Sequence, residues 1–326
     1  MKLSRVGLVA IGRNEGARLD RCLASVIGSC EQQVYVDSGS RDGSVPKARR
    51  LGIEAIELDP KKRFTAARAR NAGFERVCQA DSALKYVQFV DGDCELNPAW
   101  LETGFRFLED RDDVAIVYGR RRERTPNLSI YNTLCDMEWD TALGESKSCA
   151  GDFLVRIDAF RKVGGFRQDV IAAEDTELCC RLRNAGWKIL RIEAEMSVHD
   201  ASMFHFQQWW TRCLRAGYAF ALGAGLHGAA PERLFVWESR RALLWGLGLP
   251  LVCLAAGIAA PPWGWLTWLV YPLQMMRLAI RNSGSLRRRM LLGAFQVMAR
   301  FPEALGQLKY LRDRVLSRQA MIIEYK

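Results

Sequence analysis

Val6-Gly-Leu-Val-Ala-Ile11 is an unbroken apolar run that stops at Gly12. A run of that length closed by glycine fits a strand buried on both faces, as in a parallel sheet. Reading outward, 17–28 carries Leu19, Leu23, Val26 and Ile27 at helical spacing, and 33–37 reads as a second strand ending in Asp37-Ser-Gly-Ser40. Helices are expected at 44–51 and 64–77 and strands at 54–58 and 85–90. Asn97-Pro98 opens a helix that runs to Glu109. Beyond it, 114–118, 153–157 and 188–192 read as strands, and 158–163, 176–185 and 205–220 as helices. The alternation predicts an α/β sheet with ligands at the carboxyl ends of its strands.

Charge is unevenly divided. Residues 1–232 hold 33 basic and 33 acidic side chains, whereas 233–326 hold 14 and 4, so the last third carries all of the net +10. Within that third, 242–276 contains no charged residue. Pro261-Pro262 divides it into 242–260, close to the ~20 residues that cross a bilayer, and the shorter 263–276. Arg240-Arg241 precede the apolar run, and Arg277, Arg281 and Arg287-Arg288-Arg289 follow it. Such flanks read as a membrane signal before a nucleic-acid one, and they put both ends on the cytosolic side. A membrane helical hairpin is expected, either spanning twice or re-entrant, with a buried soluble helix pair as the alternative. Residues 290–316, interrupted by Pro302, read as an amphipathic stretch on the membrane. Ten cysteines without a C-x-x-C pair point to a reducing compartment. The apolar run at 6–11 is too short for a signal peptide.

Three acidic clusters stand at strand ends or a helix start. Asp37-Ser-Gly-Ser-Arg-Asp-Gly-Ser44, taken alone, is either an Asx-type turn or a carboxylate facing a base or ribose. In Asp91-Gly-Asp93, two carboxylates two residues apart converge if the chain is extended, and a divalent cation on a diphosphate relieves their repulsion. An ordinary Asp-Gly turn is the simpler reading. Glu174-Asp175 precedes a helix. Capping needs one acid, and a general base for a hydroxyl must be a carboxylate or His. Arg70 is either part of a solvated helix face or a bidentate partner for phosphate oxygens, and His199 either a structural histidine or a metal or phosphate ligand. Trp209 and Trp210 either stack on a sugar or pack.

The order of these pieces carries a resemblance. Ala10-Ile-Gly-Arg-Asn-Glu15, Val36–Ser44, Ala69-Arg-Asn-Ala-Gly73, Phe89-Val-Asp-Gly-Asp93, Gly151-Asp152, Val163-Gly-Gly-Phe166 and Glu174-Asp175 together resemble the family 2 glycosyltransferases with a GT-A fold. The resemblance covers about 4–200. It implies a mixed, mainly parallel Rossmann-like sheet flanked by helices. By the same resemblance Ala10, Glu15 and Asp37 are nucleoside contacts and Arg70 a diphosphate contact. Asp91 meets ribose or metal, Asp93 ligates the metal with help from His199, and Asp175 is the base supported by Glu174. Asp152, Trp209 and Trp210 are acceptor candidates. Two departures stand out: Ala10 replaces a common Pro, and His205-Phe-Gln-Gln-Trp-Trp210 only loosely matches the Gln-x-x-Arg-Trp signature of processive synthases.

These readings predict an inverting transferase using Mg²⁺ or Mn²⁺ and a nucleotide-sugar donor, UDP-linked by family default. The expected acceptor is a lipid-linked saccharide or glycolipid in cell-surface polysaccharide synthesis, with no nucleic-acid partner. A polyprenyl-phosphate sugar synthase and a non-catalytic sugar-nucleotide binding protein are the rivals. The domain expectation is a catalytic domain at 1–232, the hairpin at 233–282 and a basic amphipathic tail at 283–326. The chain is expected at the inner membrane, with catalysis on the cytoplasmic side.

Overall fold

The computed structural model describes residues 3–317. The chain divides after Phe204 into two compact units.

The first unit is built on one mixed sheet. Its strands are β1 (Leu3–Gly12), β2 (Cys30–Asp37), β3 (Glu54–Glu57), β4 (Tyr86–Asp91), β5 (Cys94–Leu96), β6 (Val114–Glu123), β7 (Gly144–Glu145), β8 (Phe153–Arg156) and β9 (Lys188–His199). They lie in the order β3-β2-β1-β4-β8-β6-β9-β5, with β7 on β9. β1, β2, β3 and β4 pair in parallel, as do β6 and β9, while β8 runs antiparallel between β4 and β6. All six parallel strands therefore end at one edge. The central β1 and β4 are buried along nearly their whole length, as strands covered on both faces must be.

Helices α1 (Ala17–Val26), α2 (Ser44–Arg50), α3 (Ala66–Ala80), α4 (Trp100–Glu109), α5 (Ile130–Glu138), α6 (Ile157–Lys162) and α7 (Glu174–Asn184) flank the sheet. Thr65 caps α3 by accepting a hydrogen bond from the Arg68 amide. Its buried face includes Ala69, Arg70 and Gly73. A Cβ at Gly73 would clash with Val9 and lie 3.0 Å from Val36 Cγ2, so this glycine sets how closely α3 approaches β1 and β2.

Several elements differ from expectation. β6 continues from Tyr118 to Glu123 and β9 from Ile192 to His199, so His199 ends a strand instead of following one. The segment at Asp91-Gly-Asp93 is not one extended strand: the chain turns at Gly92-Asp93 between β4 and β5. Pro98 lies in the turn before α4, where Asn97 Oδ1 accepts from the Ala99 amide.

The second unit is helical. The aromatic-rich helix Phe206–His227, expected within the catalytic domain, belongs to this unit. Val236–Ala259 follows as one continuous helix with a π turn at Leu244–Gly248. It is the one helix among the described residues long and apolar enough to cross a membrane by length and composition, and only 17% of its apolar window is buried. A 3₁₀ turn at Trp263–Leu269 and a helix at Val270–Arg281 follow, and the Trp265 ring packs on Gly257, giving a hairpin shape. Leu286–Met298 and Arg300–Val315 complete the unit. Pro302 falls in the first turn of the last helix, where an absent N–H costs nothing, and the break precedes it at Ala299.

Gly73→Ala is expected to lower unfolding stability by ~1–3 kcal/mol through overpacking against Val9, despite alanine's better helix propensity. Denaturant unfolding followed by near-UV circular dichroism measures it; unchanged stability would mean that α3 is free to move outward.

Candidate active site

Parallel strands deliver their last residues to the same edge. Gly12, Asp37, Asp91, Glu123 and His199 end β1, β2, β4, β6 and β9. Asp152 stands just before the antiparallel β8, and so arrives at that edge too. Glu174 and Asp175 open α7.

Arg70 joins the two acidic clusters. It is 3% exposed, and it donates from Nη1 to Glu174 Oε1 and from Nη2 to Asp91 Oδ1, both at 2.7 Å. Its guanidinium lies 5.5 Å from the Phe166 ring centre. The expected diphosphate contact would compete with these two charge-assisted bonds. Gly151 presses on the same group. A Cβ there would clash with Asp91 and sit 3.0 Å from Arg70 Nη2 and 3.3 Å from Arg121 Nη2.

Asp93 and His199 face each other, Oδ2 to Nε2, at 3.3 Å, and His199 Nδ1 lies 3.8 Å from Glu123 Oε2. Ligand atoms of Asp93, Cys94 and His199 fall within 4.8 Å of one another, as do those of Asp91, Cys94 and Asp152. Burial keeps the Cys94 thiol protonated and donating to Asp93, so carboxylate and imidazole donors remain, and they fit a divalent cation of the Mg²⁺ or Mn²⁺ kind.

Asp152 is fully buried. Its Oδ1 accepts from the Asp91 amide at 3.0 Å and its Oδ2 from Ser197 Oγ at 2.7 Å, so it braces Asp91 and faces no acceptor. Asp175 Oδ1 accepts from the Thr176 amide at 2.7 Å. Burial, and then the neighbouring charge of Glu174, push its carboxyl up to about 6, while Arg70 pulls the other way. A carboxylate held near that value accepts a proton at neutral pH better than an ordinary aspartate.

The first two loops are stitched together. Asp37 Oδ2 accepts from the amides of Gly39 and Ser40 at 2.9 and 2.7 Å, and its Oδ1 accepts from Tyr35 at 2.9 Å. These bonds make the turn that the motif predicts. Asn14 accepts from the Arg41 amide and donates its own amide to Ser40 Oγ. Glu15 pairs with Arg18 at 2.9 Å and packs its Cγ beside Gly12 and Gly92. Ala10 is buried in β1 opposite Tyr35 and Val90.

The structure thus brings Asp91, Asp93, Asp152, Glu174, Arg70 and His199 to one sheet edge. Trp209 and Trp210 belong to the helical unit. There Trp209 is 2% exposed and packs edge-on against Phe295 at 4.9 Å, which leaves it no open face for a sugar. Sequence reading missed Arg121 and Trp139. Arg121 lies in the extension of β6, and its guanidinium sits 5.6 Å from the Trp139 ring centre. A run of three arginines after an apolar strand was the available signal.

Two family models match this chain: Glycosyl transferase family 2 over residues 9–162 and Glycosyl transferase family group 2 over 86–281, more than half of the chain. The chain belongs to the family 2 glycosyltransferases. Among curated members, glycosyltransferase AglE of Haloferax volcanii is 26% identical over 206 residues, covering 59% of this chain and 65% of AglE. The succinoglycan biosynthesis protein ExoA of Rhizobium meliloti is 28% identical over 179 residues, covering 48% of this chain and 50% of ExoA. The chain thus spans between half and two thirds of the length of these relatives. Mannosyltransferase PcManGT from Pyrobaculum calidifontis, solved with GDP-Man and Mn²⁺, has a similar fold: TM-score 0.65 at 19% identity, over 93% of this chain and 87% of that one. TarS 1–349 of S. aureus gives 0.52 at 14% identity, over 96% and 92%.

A raised acid pKa means that Asp175 favours folding while it is protonated, below about pH 4, and that this contribution fades as pH rises through about 6. Asp175→Asn is therefore expected to unfold at a higher temperature than wild type at pH 8. The gap should narrow toward pH 4. Thermal unfolding across that range checks it, and a gap independent of pH would contradict the burial of this charge.

Proposed function

We propose that this chain is an inverting, metal-dependent transferase that moves a sugar from a nucleoside-diphosphate donor to a hydroxyl of a lipid-linked saccharide or glycolipid. The observation that carries the reading is the shared edge on which Arg70 ties Asp91 to Glu174, beside a carboxyl at 175 poised to accept a proton. Asp175 takes the proton from the acceptor hydroxyl, whose oxygen attacks the anomeric carbon as the bond to the diphosphate breaks. Arg70 holds Glu174 and Asp91 in register through that step. Asp91, Asp93 and His199 would hold the divalent cation, which supplies stabilisation of charge on the departing diphosphate. Glu15 and Asp37 stand at the end of the edge assigned to the nucleoside, whereas Ala10, fully buried within β1, offers it no surface.

The lipid acceptor is proposed from the second unit. Leu251, Ile258, Trp263 and Leu273 are exposed there, and the chain's basic excess falls in the same third of the sequence. Apolar surface of this extent next to arginines suits a bilayer and its cytosolic headgroups. The full-length protein should stay with membranes through alkaline carbonate extraction. Release into the supernatant would remove the spanning helix from the account.

Release of nucleoside diphosphate, measured over UDP- and GDP-sugars with membrane lipid extract as acceptor, tests the activity. Turnover should rise with pH along a limb near 6, because Asp175 must be ionised to act as base. Asp175→Asn should lose ~10²–10⁴ in rate. Full turnover in that variant would favour attack by a phosphate oxygen, as in a polyprenyl-phosphate sugar synthase. Asp93→Ala should abolish stimulation by Mg²⁺ or Mn²⁺. Metal stimulation that survives this change would place the ion elsewhere.

A further inference from the structure

Arg121 is a cation that the site's hydrogen bonds leave partly unused. It is 7% exposed, near the end of β6. Its Nη2 lies 3.2 Å from Asp152 Oδ2 and 3.9 Å from Asp91 Oδ2, yet neither Nη2 nor Nε makes a hydrogen bond among the described residues. Trp139, which supports its guanidinium, meets His199 edge-on at 4.6 Å. Asp152, Asp91 and Asp93 are among the negative charges that act on it.

Converging carboxylates repel unless a positive charge stands among them. Here the chain supplies one covalently. Arg70 spends both terminal nitrogens on well-made bonds and is fixed. Arg121 is held by charge and by stacking, and its Nε and Nη2, which make no hydrogen bond among the described residues, can donate to an anionic acceptor. Asp91 cannot serve Arg121 and a divalent ion equally well, because each added cation reduces what the next one gains.

We propose that Arg121 is a built-in counter-cation that competes with the divalent ion for Asp91, making ion binding depend on a nucleoside diphosphate. When the diphosphate arrives, its oxygens serve the ion and accept from the freed Nε–H and Nη2–H. Ion and nucleotide then bind together far better than either alone, by linkage. This rests on the nucleotide-sugar reading of the site. Arg121 acts on the ion through the carboxylates and is a positioning residue in that respect.

The test is Mn²⁺ binding to the detergent-solubilised full-length protein, read by electron paramagnetic resonance of free Mn²⁺. It is run with and without UDP or GDP and corrected for Mn²⁺ bound by nucleotide alone. Wild type should bind Mn²⁺ at least about tenfold more tightly with the matching nucleotide. Arg121→Gln should tighten nucleotide-free binding about tenfold and shrink that coupling. Arg121→Lys, which keeps the charge, should stay near wild type. Wild type that binds Mn²⁺ equally with and without a bound nucleotide overturns the proposal, even if Arg121→Gln fails to fold. A folded Arg121→Gln with wild-type nucleotide-free affinity overturns it as well. If neither nucleotide binds under any condition, the transferase reading fails, and the nucleotide-free comparison of wild type with Arg121→Gln still decides the role of Arg121.

Discussion

A buried guanidinium with a carboxylate on each terminal nitrogen is the constraint on which the site depends. Arg70 reaches from α3 to the end of β4 and to the start of α7, and its bond to Glu174 spans 104 positions in sequence. Stripping water from three charges is expensive unless each is answered by a hydrogen bond of good geometry. That cost makes the arrangement specific. If either carboxylate moved, one terminal nitrogen of Arg70 would lose its partner in a dry environment. The bridge also sets the electrostatics of Asp175, which sits beside Glu174 and within reach of the same guanidinium.

The parallel sheet turns this local bridge into an active-site edge. Strands that run the same way finish at the same side, so residues far apart in sequence meet without a long loop to carry them. Asp152 extends the set from the antiparallel β8, because the start of a reversed strand lies beside the ends of its neighbours. The close fit at Gly151 shows how little room is left once Asp91, Arg70 and Arg121 crowd around it.

Much of this was legible in the sequence. β1 carries the unbroken apolar run from Val6 to Ile11, and β4 is apolar but for Gln88 before it reaches Asp91, as strands buried on both faces largely are. The acidic motifs were visible as strand-end punctuation, and their order carried the family. The extension of β9 was hidden by Glu193 and Glu195, which face outward along an otherwise buried strand; Glu195 pairs with Arg122. The extension of β6 was hidden for a related reason. Arg120 and Arg121 look like surface residues until their partners Asp136, Asp140 and Asp152 are known, and those come from 16 to 31 positions away. Asp152 and Trp209 show the complementary limit: residue type suggested contact with substrate, whereas burial committed one to bracing Asp91 and the other to packing. No local pattern reports how deeply a polar or aromatic side chain will be buried.

The most direct measurement is the anomalous diffraction of crystals grown with Mn²⁺ and a nucleoside diphosphate. One peak is predicted within coordination distance of Asp93 and His199, with the diphosphate beside it and Asp175 facing the same cleft. A peak away from these residues, or a nucleotide bound at another part of the sheet, would contradict the account.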